Sequence, residues 1–268
     1  MSIGPAKEFY IDANGGRQLC ITFGRGSRSL VLIPGLRLSS LRGSGAVSAR
    51  YYRLFSEAYT VYIFDRKEPL LPGCTIHDLA EDLAAAMDRL GLRGADVLGA
   101  SQGGMIAQDL AIHHPELVRK MVLAVTASRS NPVMEDAIRT WIALLEKHDI
   151  DGFARDYMRR GFSEAYCKKY AAFLPLVFRL QKPMPTERFI NLAEACLTCR
   201  SYEELDRIRC PVLVIGGGRD RVVSAEASRE IAEKLHCACY MYDELSHEAY
   251  SEAKDFNRRV YEFLCSPV

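Results

Sequence analysis

The chain has 268 residues, 49% apolar and 26% charged, with a formal net charge of +1. That length suits one large domain or a domain carrying an insertion. The near-neutral balance excludes a global field drawing the chain to nucleic acid or an anionic membrane, and no run approaches the ~18 apolar residues of a membrane span.

The N-terminal stretch MSIGPAKEFYIDANGG lacks the apolar centre of a signal peptide. The nine cysteines are odd in number and scattered, unlike a secreted disulfide framework. Together these predict a cytoplasmic protein. EFYID, QLCITFG and SLVLIPG then read as strands separated by turn-forming residues. The third is almost wholly apolar, as a central strand covered on both faces should be. ARYYRLFSEA reads as a helix and YTVYIFD as a strand. TIHDLAEDLAAAMDRLGL places Ile76, Leu79, Leu83, Met87 and Leu90 at helical spacing, with Gly91 and Gly94 at its end. ADVLGA is a strand, QGGMIAQDLAIHHP a helix and KMVLAVTA another strand.

Residues 129–206 break this rhythm. MEDAIRTWIALLEKHD, DGFARDYMRRGF, SEAYCKKYAAFLPLVFRL, PTERFINLAEACLTC and SYEELDRI read as consecutive helices. Alternation then returns with the strand CPVLVIGG, the helix AEASREIAEKL, the strand ACYMYDE and the helix EAKDFNRRVYEFL. A hairpin-like start followed by alternating strands and helices predicts an α/β fold: a mainly parallel sheet with helices on both faces. The expected division is a core of residues 1–128 and 207–268, with residues 129–206 inserted as an all-helical cap over one edge.

Between the strand ADVLGA and its helix lies Gly99-Ala100-Ser101-Gln102-Gly103. The pattern Gly-x-Ser-x-Gly arises by chance about a tenth of a time in a chain this long; its strand-to-helix context makes it informative. A nucleophilic serine must stand clear of the sheet on a tight, strained turn. The residues two before and two after it then approach each other, so Gly99 and Gly103 must be small. The alternative is a plain glycine-rich turn with an incidental serine.

A serine hydroxyl needs a histidine to take its proton and a carboxylate to orient that histidine. His77 lies near a helix start, His113 and His114 at a helix end, His148 in the insertion and His236 at another helix end. His247 follows the last strand, on the rim of strand carboxyl ends shared with Ser101, where open α/β sheets gather their chemistry. Asp220, in VLVIGGGRDRVV, follows a strand on that same rim. Asp65 also follows a strand but reads as a loop residue bonding backbone amides.

In the order serine, aspartate, histidine, and through LVLIPG, VYIFD, LGASQGGMIAQDLAIHHPE, PVLVIGGGRD and LSHEAY, nearly the whole chain resembles the α/β-hydrolase superfamily. The resemblance implies an eight-stranded, mainly parallel sheet and a helical cap where residues 129–206 stand. It also implies an oxyanion hole: the amide after the nucleophile, Gln102, and one from the loop Leu32-Ile33-Pro34-Gly35-Leu36, that of Leu36. Two such donors are worth about 3–4 kcal/mol each to a tetrahedral intermediate. Many relatives carry His-Gly where this chain has Pro34-Gly35, so the loop lacks a histidine that helps to fix it.

Arg37 and Arg42 follow, available to an anionic group on a substrate or simply to solvent. The large apolar residues of the insertion should mostly pack its own helices, with Trp141, Tyr157 and Phe162 as candidates for pocket walls. Cys196-x-x-Cys199 and Cys237-x-Cys239 lack a histidine at ligand spacing and read as small hydrophobic residues rather than a metal or redox site. The expected reaction is hydrolysis of a carboxylic ester of a small molecule, with no metal or organic cofactor and no nucleic acid partner; a homodimer stays open. A lactonase, a small-peptide aminopeptidase and an acyltransferase share the same machinery. A ligand receptor on a hydrolase scaffold is the non-enzyme alternative.

Overall fold

The structure, a computed structural model, describes residues 5–170 and 185–267. Its eight strands are β1 Lys7–Ala13, β2 Gly16–Gly24, β3 Arg28–Ile33, β4 Tyr59–Phe64, β5 Ala95–Ala100, β6 Val118–Ala124, β7 Val212–Gly217 and β8 Ala238–Tyr242. They form one sheet in the order β1-β2-β4-β3-β5-β6-β7-β8. β2 runs antiparallel to both β1 and β4, while every pairing from β4 through β3 to β8 is parallel. This is the α/β architecture that the alternating pattern predicts.

The two-residue period of the strands sorts the core into two layers. Leu30 and Leu32 of β3 join Leu98, Val122 and Ile215 on one face, covered by α1 (Gly45–Tyr51) and α10 (Phe256–Cys265). Val31 and Ile33 join Val97, Leu123 and Val214 on the other, covered by α2 (Ile76–Arg89), α3 (Gln102–His113) and α8 (Ala225–Leu235). Each fully buried Leu or Ile contributes about 1.5–3 kcal/mol. Thr75 and Asp78 close a capping box at the start of α2, and Gly91 and Gly94, at φ 66° and 55°, turn the chain after it.

Between β6 and β7 stand α4 (Pro132–Glu146), α5 (Ile150–Gly161), α6 (Glu164–Tyr170), α7 (Thr186–Leu197) and a 3-10 segment, Ser201–Arg207. Part of the predicted helix SEAYCKKYAAFLPLVFRL, residues 171–180, lies outside the described residues. Asn131 and Asp149 cap α4 and α5 by accepting from the Met134 and Gly152 amides.

Three predicted helices differ in detail. ARYYRLFSEA gives α1 followed by a 3-10 turn, Arg53–Phe55, which seats the fully buried Phe55 ring. SYEELDRI is 3-10 rather than α-helical, with Leu205 buried beneath it. EAKDFNRRVYEFL is broken at Ala253, whose extended backbone separates α9 (Ala249–Glu252) from α10. The two pieces serve different surfaces: Glu252 turns to Ser163 of the insertion, while Phe256, Val260 and Leu264 pack on the sheet.

Candidate active site

Because β3 to β8 are parallel, the turns that follow them emerge on one rim. β3 leads to the Pro34–Leu36 loop, β4 to Asp65 and Arg66, β5 to Ser101, β7 to Asp220 and β8 to His247. Adjacent strands bring their loops together, so β3 and β5 set Gly35 beside Ser101, and β7 and β8 set Asp220 beside His247.

Ser101 sits at φ 53°, ψ −121°, a region that costs an L-residue about 1–3 kcal/mol. The turn tolerates no extra atom. A Cβ on Gly99 would lie 2.4 Å from the Gly103 carbonyl oxygen, and one on Gly103 would lie 1.9 Å from that of Ile33. Gly99 thus meets Gly103 across the turn, as expected, while Gly103 also seats the turn against the end of β3.

The three side chains that sequence reasoning singled out meet in a line. His247 Nε2 lies 2.9 Å from Ser101 Oγ, and His247 Nδ1 lies 2.9 Å from Asp220 Oδ2. Asp220 Oδ1 accepts from the Val222 and Val223 amides at 2.8 and 3.0 Å, which fixes the carboxylate. With Nδ1 donating to Asp220, Nε2 is left to accept from the serine hydroxyl. Asp220 and His247 are both buried, Ser101 partly so. Burial acts to lower the His247 pKa. The Asp220 charge and hydrogen bond, with the charge of Glu248, outweigh it, so the net value rises above the ordinary 6.5.

The backbone N–H groups of Leu36 and Gln102 have no acceptor among the described residues. Gln102 opens α3, where the free amides and the helix dipole favour negative charge. A Cβ on Gly35 would come 3.1 Å from Ser101 Cβ, so the Leu36 loop lies against the serine. The loop is held by a residue that sequence reasoning missed. Arg66 donates to the Pro34 carbonyl at 2.6 Å and to Gln102 Oε1 at 3.2 and 3.3 Å. Burial lowers its pKa to about 10. Gln102 Nε2 in turn reaches the Leu192 carbonyl of α7 at 2.5 Å. The sequence signal for Arg66 was its place just past the carboxyl end of a strand. Asp65 behaves as read, accepting from the Arg66 and Leu41 amides.

A cavity of about 320 Å³ lies beside the serine turn, with Gly35, Leu36 and Ala100, the residue before Ser101, in its wall. Arg37, Trp141, Tyr157 and Phe162 all line it; Arg42 does not and is exposed. Trp141, Phe153, Tyr157 and Phe189 form an aromatic cluster, with ring centroids 5.4–6.0 Å apart for the contacting pairs. Sequence reasoning did not single out Tyr52, Glu248 or Tyr250, which also line the cavity. The insertion is tied to the His247 loop: Glu248 N donates to the Gly161 carbonyl at 2.7 Å, and Ser246 Oγ to that of Arg160 at 2.5 Å.

Cys196 and Cys199 are buried, with their thiols pushed up to about 12 by burial. Cys237 is partly buried and Cys239 exposed, and both are free. His77, Asp109 and His113 place their ligating atoms within 4.8 Å of one another, a set able to hold a metal ion. They stand on α2 and α3, with His113 at the opposite end of α3 from Ser101.

A family model described as the alpha/beta hydrolase fold matches residues 38–254. The chain belongs to the alpha/beta hydrolase fold family. It is accordingly a hydrolase enzyme. A relative from Caulobacter sp. (strain K31), named "Putative carbamate hydrolase RutD", is 27% identical over 205 residues, 74% of this chain and 76% of its own. The 3-oxoadipate enol-lactonase 2 of Acinetobacter baylyi is 25% identical over 247 residues, 89% and 90% of the two chains. Among solved structures, the enol-lactonase from Burkholderia xenovorans LB400 superposes with a TM-score of 0.84 at 21% identity, covering 96% of this chain and all of the other; this likeness shows the shared fold. Among the described residues, no helix is long and apolar enough to cross a membrane.

Proposed function

We propose that this member of the alpha/beta hydrolase fold family is a serine hydrolase that cleaves a carboxylic ester of a small molecule with a small to medium apolar acyl or alcohol group. The observation that carries the reading is the continuous line Ser101–His247–Asp220, with both links at 2.9 Å. His247 takes the proton as Ser101 Oγ attacks the ester carbonyl. The Leu36 and Gln102 amides hold the oxyanion. His247 then protonates the departing alcohol, leaving an acyl group on Ser101. A water molecule gives its proton to His247, attacks the acyl-enzyme and releases the acid. No step calls on a metal or an organic cofactor.

Residues 129–206 act as the cap in this reading, with 1–128 and 207–268 as the core. Trp141, Tyr157 and Phe162 supply pocket walls from the cap, and Arg37 supplies one from the core. The free cysteines suit a reducing, cytoplasmic setting.

A lactone is a cyclic ester and fits the same chemistry. The name of the Acinetobacter relative favours this second reading. The test is a series of p-nitrophenyl esters from acetate to decanoate beside five- and six-membered lactones, with the wild type and Ser101→Ala. Turnover that vanishes in the variant supports the serine mechanism, and the preferred series separates the readings. Turnover of neither series contradicts both.

A further inference from the structure

Among the residues that line the cavity, the proposed serine chemistry leaves one buried charge without a task. Glu248 is 6% exposed, yet it lines the cavity. Its Oε1 accepts from the Tyr157 hydroxyl of α5 and from the Tyr250 hydroxyl of α9, and its Oε2 accepts from Ser251 Oγ at 2.9 Å. Burial, reinforced by the Glu248 charge, pushes both tyrosine pKa values well up. The phenols therefore stay protonated and act as donors. Among the described residues no cation pairs with Glu248.

A carboxylate buried in a mostly apolar wall is costly unless its lone pairs are used. A carboxylate offers about four in-plane acceptor positions. Three face hydroxyls, with the Ser251 proton shared between Oε2 and the Glu248 backbone carbonyl, and no donor among the described residues takes the fourth. The insertion's carboxylates Glu135, Asp136 and Glu164 do not line this cavity. Asp136 is paired with Arg160 instead. The cavity takes its carboxylate from the loop of His247.

Arg37 lines the same cavity and has no carboxylate partner among the described residues. The Glu248 charge raises the Tyr157 pKa and the Arg37 charge lowers it, so the phenol stands within reach of both. With opposite charges in its wall, the cavity suits a neutral polar group better than a free cation or anion.

From this arrangement we infer that Glu248 is a specificity-determining residue: it accepts a hydrogen bond from a neutral N–H or O–H group on the substrate, so the preferred esters carry an amide, carbamate or hydroxyl donor rather than a purely apolar body. The inference rests on the proposed ester hydrolysis.

The test uses three aryl acetates on one scaffold: 4-(hydroxymethyl)phenyl acetate, its near-isostere 4-ethylphenyl acetate and the cationic 4-(aminomethyl)phenyl acetate. The wild type should show a KM about tenfold lower for the hydroxymethyl ester than for the ethyl ester, the value of one hydrogen bond to a charged acceptor. Glu248→Leu should bring that ratio to about one. Tyr157→Phe loosens the contact with the insertion but keeps the carboxylate, so it should preserve the preference; a merely structural Glu248 would show no such split. Equal KM values in the wild type, a ratio unchanged in Glu248→Leu, or a clear preference for the aminomethyl ester would each overturn the inference while leaving ester hydrolysis intact. If the wild type hydrolyses none of the three, the ester reading fails. Calorimetry of 4-(hydroxymethyl)phenol against 4-ethylphenol then reads Glu248 directly: tighter hydroxymethyl binding, lost in Glu248→Leu, supports the inference, and equal binding overturns it.

Discussion

Arg66 holds the Pro34 carbonyl at 2.6 Å, and with it the loop that carries the Leu36 amide. The same guanidinium grips the side chain of Gln102, whose own amide is the second free donor at the site. One buried arginine thereby fixes both halves of the proposed oxyanion hole. Arg66→Lys keeps a charge but loses the planar fork. Its kcat should fall about 10–100-fold with little change in KM, since the oxyanion forms only after binding. Steady-state kinetics on a p-nitrophenyl ester checks this. A change confined to KM would assign Arg66 to substrate binding instead.

The raised His247 pKa sets the direction of the acid limb. His247 must be neutral to accept the serine proton, so kcat/KM should fall as pH drops through a value above 6.5. Asp220→Asn removes the charge that raises it. The variant should lose about 10³-fold or more in kcat, and its residual acid limb should move to lower pH. The same shift acts on stability. Protonated His247 favours the folded chain, a contribution complete below the ordinary imidazole value and lost as pH rises through the higher folded value. Thermal melts of the wild type and Asp220→Asn across that window read the difference.

The rim and the line of Ser101, His247 and Asp220 were legible because they depend on local order. A strand followed by a small-residue turn locates Ser101, and a strand followed by a loop locates Asp220 and His247. Chain order alone then places them on one rim, without knowledge of which strands are neighbours. Arg66 and Glu248 were not legible in that way. Arg66 matters because β4 lies beside β3, and nothing near residue 66 in the chain reports that adjacency. Glu248 reads as one more charged loop residue until Tyr157 and Tyr250 are seen around it. The cavity side of the insertion was legible by residue type at Trp141, Tyr157 and Phe162. Helical spacing does not separate the face toward the serine from the face toward other helices, so Phe153 and Phe189 were indistinct within the larger apolar set. The break at Ala253 was hidden because the residues around it, Glu252 to Asp255, are compatible with helix, and tertiary bonds to the insertion decide it.

The elbow glycines differ sharply from a turn glycine such as Gly73, which has open space around a built Cβ. Gly103→Ala forces a methyl into the Ile33 carbonyl. The loss of stability should be at least about 2–3 kcal/mol. Chemical denaturation compares it with Gly73→Ala, whose strain is limited to its positive φ. Equal losses would contradict the packing described for the turn.

The aromatic wall should set substrate size. Trp141 is almost fully buried, contacts Phe153 and Tyr157, and donates to Asp156 at 3.0 Å. Trp141→Leu enlarges the cavity, so the acyl-length optimum should move to longer chains, at a stability loss of about 2–4 kcal/mol. The profile of p-nitrophenyl esters from acetate to decanoate measures the shift. An unchanged optimum would remove Trp141 from the acyl pocket.

The proposed reaction passes through covalent acylation of Ser101. It is tested most directly by treating the protein with a fluorophosphonate and mapping the adduct by mass spectrometry. One adduct should form on the peptide containing Ser101, much more slowly in His247→Ala and not at all in Ser101→Ala. Stoichiometric labelling of another residue, or ester turnover that persists in Ser101→Ala, would contradict it.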